Sequence, residues 1–135
     1  MGSSSQPTTG GHRNAQAAGS WACHGNAYTP SIVTQSGARY MHYSGYSQCL
    51  GDFGTNQACV RLEAKSTAPF TSYVAVTGYS CSAVTTNLTI TANGTAKCSV
   101  LAPQSRYWRS VSYGIAHGGT HSASVASAPS AVISC

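Results

Sequence analysis

The stretch Ala58-Cys-Val-Arg-Leu-Glu-Ala64 alternates apolar and polar side chains from one residue to the next. A period of two is typical of a β-strand that buries one of its faces. The aliphatic side chains would point into a core, and Cys59, Arg61 and Glu63 would point away from it. The stretch therefore predicts a strand at 58–64.

Similar short runs recur along the chain after residue 21. β-Branched and aromatic residues stand between Gly, Pro, Ser and Asn, and no window shows the 3.6-residue apolar period of an amphipathic helix. The pattern predicts an all-β fold, an immunoglobulin-like two-sheet sandwich formed by a single domain at 21–135. Asn93-Gly94 is interpreted as a hairpin turn. The predicted strands, about seven, are 31–34, 39–46, 58–64, 71–78, 84–92, 106–116 and 130–135.

Six cysteines are distributed through this domain: Cys23, Cys49, Cys59, Cys81, Cys98 and Cys135. None lies closer than ten positions to the next. This spacing argues against a structural zinc site and against a Cys-x-x-Cys redox pair. An even number of widely spaced cysteines predicts three disulfides, which form in an oxidising, extracellular compartment.

The pairing of the cysteines follows less directly, because six cysteines allow fifteen arrangements. A hairpin between 58–64 and 71–78 would bring Cys59 beside Cys81. The two cysteines that bracket the domain would then join its first strand to its last, and the remaining two would link the sheets. The preferred pairs are Cys23–Cys135, Cys49–Cys98 and Cys59–Cys81.

The charge content is low, at 7% of residues, and Asp52 and Glu63 are the two acidic side chains. A paired-carboxylate hydrolase or a Ser-His-Asp triad would have to be built from these two. His117-Gly-Gly-Thr-His121 lacks the Glu of a zinc-protease motif, and its glycines favour a loop. We therefore expect a non-enzymatic protein with no catalytic residues, no metal and no cofactor.

The net charge of +5 comes from scattered residues that form no basic stripe. Arg106-Tyr-Trp-Arg109 mixes bases with aromatics, but we interpret it as a strand whose charged ends flank buried aromatics. We expect no nucleic-acid partner, whereas an acidic polymer or an acidic protein face would suit the charge. No apolar stretch reaches the roughly 18 residues of a membrane span.

Residues 1–20 contain no large apolar side chain apart from Met1. Such a segment buries too little surface to offset the entropy of ordering, so the composition predicts a flexible tail. The tail is either a linker or a segment that becomes ordered on a partner, for example as an added strand. It shows no apolar region of a signal peptide, so we expect a mature chain to which Met1 was added.

Five features together resemble a group of small secreted proteins of filamentous actinobacteria. They are Trp21-Ala-Cys23 after the polar lead, Cys59-Val-Arg-Leu62, Lys97-Cys-Ser99, Tyr107-Trp108 leading to Tyr113-Gly114, and the closing Ala131-Val-Ile-Ser-Cys135. Some members of that group resemble the small adaptor subunit of the umbrella toxin particles of Streptomyces. There, a compact β-sandwich joins a repeat-built stalk protein to a lectin-bearing subunit.

The resemblance implies a secreted adaptor in an extracellular antibacterial toxin particle. The extended N-terminus of such an adaptor docks into a cleft of the lectin-bearing subunit, and the segment 2–20 would match it here. Its part at 6–18 would add a strand to that partner or fill its cleft. Two alternatives stay open, a secreted inhibitor of a protease or other hydrolase and a small glycan-binding module that uses exposed tyrosines. The candidate partner-binding residues are Gln6, Pro7, Thr8, Thr9, His12, Arg13, Asn14 and Gln16.

Overall fold

Two antiparallel β-sheets pack against each other in a computed structural model that describes residues 20–101 and 105–135. The predicted all-β sandwich with three disulfides is confirmed, although the strand boundaries differ from the prediction. No helix in these two ranges is long and apolar enough to cross a membrane. The strands are β1 (Trp21–Gln35), β2 (Ala38–Gly51), β3 (Asn56–Ser66), β4 (Val74–Ala75), β5 (Ser80–Cys81), β6 (Thr89–Lys97), β7 (Ser105–Ala116), β8 (Thr120–His121), β9 (Val125–Ala126) and β10 (Ile133–Ser134), with a 3-10 turn at Cys98–Val100.

The first sheet has the strand order β1-β2-β6 and the second the order β10-β7-β3-β4. β5 also pairs with β3, and β8 and β9 also pair with β7. A two-residue turn joins β1 to β2, with φ of 51° at Ser36 and 77° at Gly37. Two consecutive positive φ angles give a turn whose twist matches that of the paired strands.

The core lies between the sheets and follows the alternation of the sequence. Val60, Leu62 and Ala64 of β3 are buried, as the pattern at 58–64 predicts. Trp108 of β7 and Met41 of β2 are fully buried in the same cluster. A second, smaller cluster closes one end of the sandwich and consists of Trp21, Cys23, Cys49, Phe53 and Ala116.

The sheets come close together where β2 faces β7. A methyl group at Gly45 would collide with the side chain of Ser112, and one at Gly114 would collide with Ser47. Small residues at these positions therefore allow the two sheets to approach closely here.

The three disulfides close consecutive loops of the chain, Cys23–Cys49, Cys59–Cys81 and Cys98–Cys135. The predicted Cys59–Cys81 pair is confirmed, because β5 places Cys81 directly opposite Cys59 of β3. The first of the three bridges lies within the first sheet and the second within the second sheet. Cys98–Cys135 joins the end of β6 to the end of β10 and therefore links the sheets.

The predicted pairs Cys23–Cys135 and Cys49–Cys98 are wrong. The β1–β2 hairpin sets Cys23 opposite Cys49, because β1 begins ten residues earlier than predicted. The last strand, β10, pairs with β7 in the second sheet, whereas β1 belongs to the first sheet. The chain end therefore meets Cys98 after β6.

Several strands were predicted at the wrong positions because residues typical of turns lie inside the observed strands. Asn93-Gly94 is not a turn, since it lies within β6 opposite Ser44 and Tyr43. Pro30, which precedes the predicted strand at 31–34, lies within β1, where the register shifts between Tyr28 and Ser31. The predicted strands at 71–78 and 130–135 are reduced to two residues each, and three further short strands were not predicted.

Candidate partner-binding surface

Charged and aromatic side chains meet on the outer face of the second sheet. The alternation that buries Val60 and Leu62 turns Arg61, Glu63 and Lys65 outward. In the register between β3 and β7, Glu63 lies opposite Arg109, and Lys65 lies opposite Tyr107. Tyrosines before β4 and β5 complete this Arg–Tyr face, which comprises Arg61, Glu63, Lys65, Tyr73, Tyr79, Tyr107, Arg109 and Tyr113.

Glu63 is the centre of the face. Its side chain is only 5% exposed, and each carboxylate oxygen accepts hydrogen bonds from a different arginine. Arg61 donates from Nε at 2.9 Å and from Nη2 at 2.7 Å to Oε2. Arg109 donates from Nε at 2.9 Å to Oε1, and its Nη2 lies 2.8 Å from the same oxygen. One buried carboxylate thus holds two guanidinium groups and leaves the cluster with an excess positive charge.

Tyrosine rings also contact the same two arginines. The Cζ of Arg109 lies 4.1 Å from the centroid of the Tyr73 ring, and that of Arg61 lies 5.0 Å from the centroid of Tyr79. These distances are within the range of cation–π attraction. Each guanidinium is therefore oriented by a carboxylate and a ring before any partner binds.

Lys65 extends the array along β3. Its Nζ lies 5.4 Å from the ring centroids of both Tyr73 and Tyr107. The Tyr73 ring thus lies near two cations, Lys65 and Arg109. Burial raises the pKa of the Tyr73 hydroxyl above its ordinary value, while the Arg109 charge opposes this rise.

At the other end of the face, aromatic rings continue the array. The edge of Tyr79 meets Tyr113 with the ring centroids 4.9 Å apart, and the ring of His121 stacks on Tyr113 at 5.3 Å. Tyr79 is also one of the more exposed aromatic residues. This end therefore offers apolar ring surface beside the Arg61 guanidinium.

The arginines keep hydrogen-bonding capacity for a partner. About one third of each side chain is exposed. Within the part of the chain that the structure describes, Nη1 of Arg61 and Nη1 of Arg109 make no hydrogen bond. Guanidinium donors in a fixed plane suit carboxylate oxygens, which accept two N–H groups side by side. The face can therefore receive acidic groups without first reorganising.

The histidines at 117 and 121, considered as a metal motif, lie in different surroundings. His117 occupies a tight turn and stacks on Trp21, and His121 stacks on Tyr113. The loop expected there is observed as a turn that leads into β8. Among residues 20–101 and 105–135, no group of three or more His, Cys, Asp or Glu could hold a metal ion.

The partner-binding residues predicted between Gln6 and Gln16 lie outside the described residues. The Arg–Tyr face was not predicted as a site, although the alternation at 58–64 placed Arg61 and Glu63 on the side that points away from the core. The interpretation of 106–109 holds for Trp108, which is fully buried, but Tyr107 is only half-buried on the outer face. No family model, curated protein or solved structure matches the chain.

Proposed function

We propose that this protein is a secreted, non-enzymatic adaptor that binds two protein partners. The sandwich binds one of them through the Arg–Tyr face, and the N-terminal segment binds the other. By the resemblance described above, the partners are a repeat-built stalk protein and a lectin-bearing subunit of an extracellular antibacterial particle. The observation that carries the proposal is the Arg–Tyr face.

The composition and rigidity of the face support a protein-binding role. Tyr and Arg are enriched among the residues that contribute most to protein–protein affinity. Here Arg61 projects from β3, and Tyr107, Arg109 and Tyr113 project from β7; the two strands pair over eleven residues of β3, from Asn56 to Ser66. Because Glu63 and the tyrosine rings already orient the arginines, binding would lose little side-chain entropy.

The charge of the face indicates an acidic partner surface. Arg61, Lys65 and Arg109 are balanced by Glu63 alone, and the whole chain carries +5. Complementary charge accelerates association and selects among partners more than it raises affinity. The three disulfides support an oxidising compartment as the place of action.

The test is a pull-down of secreted proteins and of purified candidate partners with the full-length protein and two variants. Removal of 2–20 should abolish capture of one partner, and Arg109→Gln should weaken capture of the other by roughly tenfold. Lys97→Gln removes the same charge from an exposed position on the first sheet and should have little effect.

If either the deletion or Arg109→Gln leaves capture of every partner unchanged, the two-partner adaptor role is contradicted. Inhibition of a protease by the purified chain would favour the inhibitor alternative. Binding on a glycan array that is lost in Tyr79→Ala would favour the glycan-binding module.

A further inference from the structure

Phe70 is displayed to solvent on the loop between β3 and β4. Its exposure of 106% is the highest among the large apolar side chains that the structure describes. Its φ of 61° lies in the left-handed region, which bulky residues rarely adopt. Neither the exposed ring nor the strained backbone favours folding of the protein alone. Strain of this kind persists most often at functional sites.

The loop that carries Phe70 is held in a defined shape. The backbone N–H of Ala68 donates to Ser66 Oγ at 3.1 Å. The hydroxyl of Thr71 lies 3.0 Å from the carbonyl oxygen of Ser66 and 2.9 Å from that of Ala68, so it bridges the loop. Pro69 restricts the backbone immediately before Phe70. The ring is therefore presented from an organised loop.

The surroundings of the loop combine apolar surface with positive charge. A groove of about 400 Å³ lies at its base, lined by Ala64, Ser66, Thr71, Ser72, Val74 and Arg106. Val74 in this groove is itself exposed. Lys65 is the second-last residue of β3, and its Nζ lies near the rings of Tyr73 and Tyr107 in the Arg–Tyr face. Because the loop follows Lys65-Ser66 at the end of β3 and ends at Tyr73, both of its ends adjoin residues of the Arg–Tyr face.

We propose that Phe70 is the anchor of the interface formed by the Arg–Tyr face. The ring inserts into an apolar pocket of the partner, and carboxylates at the rim of that pocket meet Lys65 and Arg109. Central aromatic anchors surrounded by polar contacts that exclude water are the usual source of affinity in such interfaces. A second copy of this chain does not fit, because two surfaces with the same excess positive charge would face each other. The inference rests on the proposed function.

The test uses the partner that the Arg109-dependent pull-down captures, after its identification and purification. Its dissociation constant is measured by calorimetry against the full-length protein, Phe70→Ala, Phe70→Trp and Leu50→Ala. Phe70→Ala should weaken binding by at least about tenfold, and Phe70→Trp should retain most of it. Leu50→Ala removes another exposed apolar side chain, 57% exposed, from the first sheet and should change the constant by less than roughly twofold.

Salt titration separates the anchor from the charged contacts. Arg109→Gln should reduce the dependence of affinity on ionic strength, whereas Phe70→Ala should leave that dependence unchanged. Unfolding temperatures of all variants are measured to show that each is folded.

Three results would overturn the anchor. If Phe70→Ala binds like the full-length protein while Arg109→Gln is weakened, the anchor is wrong and the adaptor role stands. If no captured partner depends on Arg109, both proposals fail. If sedimentation shows that the chain alone forms a dimer that Phe70→Ala dissociates, the ring serves self-association instead.

Discussion

The two phenylalanines of the chain occupy opposite environments. Phe53 is buried in the smaller cluster, and Phe70 is fully exposed at a positive φ. We expect Phe53→Gly to lower the free energy of unfolding by about 3 kcal/mol or more, because it opens a cavity. Phe70→Gly should raise it by up to about 1 kcal/mol, because glycine adopts this φ without strain. Urea denaturation checks both, and a large loss for Phe70→Gly would show that the ring supports folding.

Glu63 is the common counter-ion of Arg61 and Arg109. We expect Glu63→Gln to lower the free energy of unfolding by about 2 kcal/mol, because two partly buried guanidinium groups lose their common counter-charge. Asp52→Asn changes the same charge at an exposed position and should stay within about 0.5 kcal/mol. Equal effects in urea denaturation would contradict the role assigned to Glu63.

Tyr73 gives the face a response to alkaline pH. Because burial raises the pKa of Tyr73 in the folded state, folding favours the protonated hydroxyl. Its contribution is complete below the ordinary pKa of 10.0 and is lost as pH rises through the higher folded value. Between about pH 8 and about pH 11, the free energy of unfolding should therefore fall more in the unaltered protein than in Tyr73→Phe. Parallel pH profiles for the two proteins would contradict this.

At the scale of the elements, the packing of β6 on β2 depends on a contact between residues that are far apart in the sequence. A methyl group at Gly94 would overlap the ring of Tyr43, which lies opposite it on β2. We expect Gly94→Ala to lower the free energy of unfolding by about 1 to 3 kcal/mol through overpacking. Gly78, which has open space around it, is the control, and Gly78→Ala should be close to neutral. Thermal unfolding followed by circular dichroism distinguishes the two, and a neutral Gly94→Ala would exclude this explanation of the glycine.

β6 also shows which part of the fold could not be predicted from the sequence. β3 could be predicted because its apolar and polar side chains alternate with the strand period, and β7 because β-branched and aromatic residues recur along it. Outward residues of both strands belong to the candidate site. β6 could not, since Asn93-Gly94 has turn chemistry locally and only the distant Tyr43 ring accounts for the glycine. Tyr73 and Tyr79 reach the arginines through irregular segments that have no periodic signal. The disulfide pairs depend on strand pairing and failed where β1 was predicted too short.

At the scale of the whole molecule, the Cys98–Cys135 bridge joins the sheets after β6 and β10. Replacing both of these cysteines with serine should lower the free energy of unfolding by about 3 to 4 kcal/mol, because the unfolded chain gains the freedom of a 37-residue separation. That loss is a large share of the roughly 5 to 15 kcal/mol typical of a domain. Calorimetry of the variant tests this, and an unchanged unfolding temperature would mean that β10 is held by its pairing with β7 alone.

The order of the disulfides also determines how far the chain can be stretched. The three loops follow one another without overlap and together contain more than half of the residues. Under tension between the N-terminal segment and the Arg–Tyr face, the Cys23–Cys49 bridge bypasses its loop, and the other two bridges limit the extension of the loops that carry the face. The oxidised protein would then behave as a short tether with a fixed maximum extension.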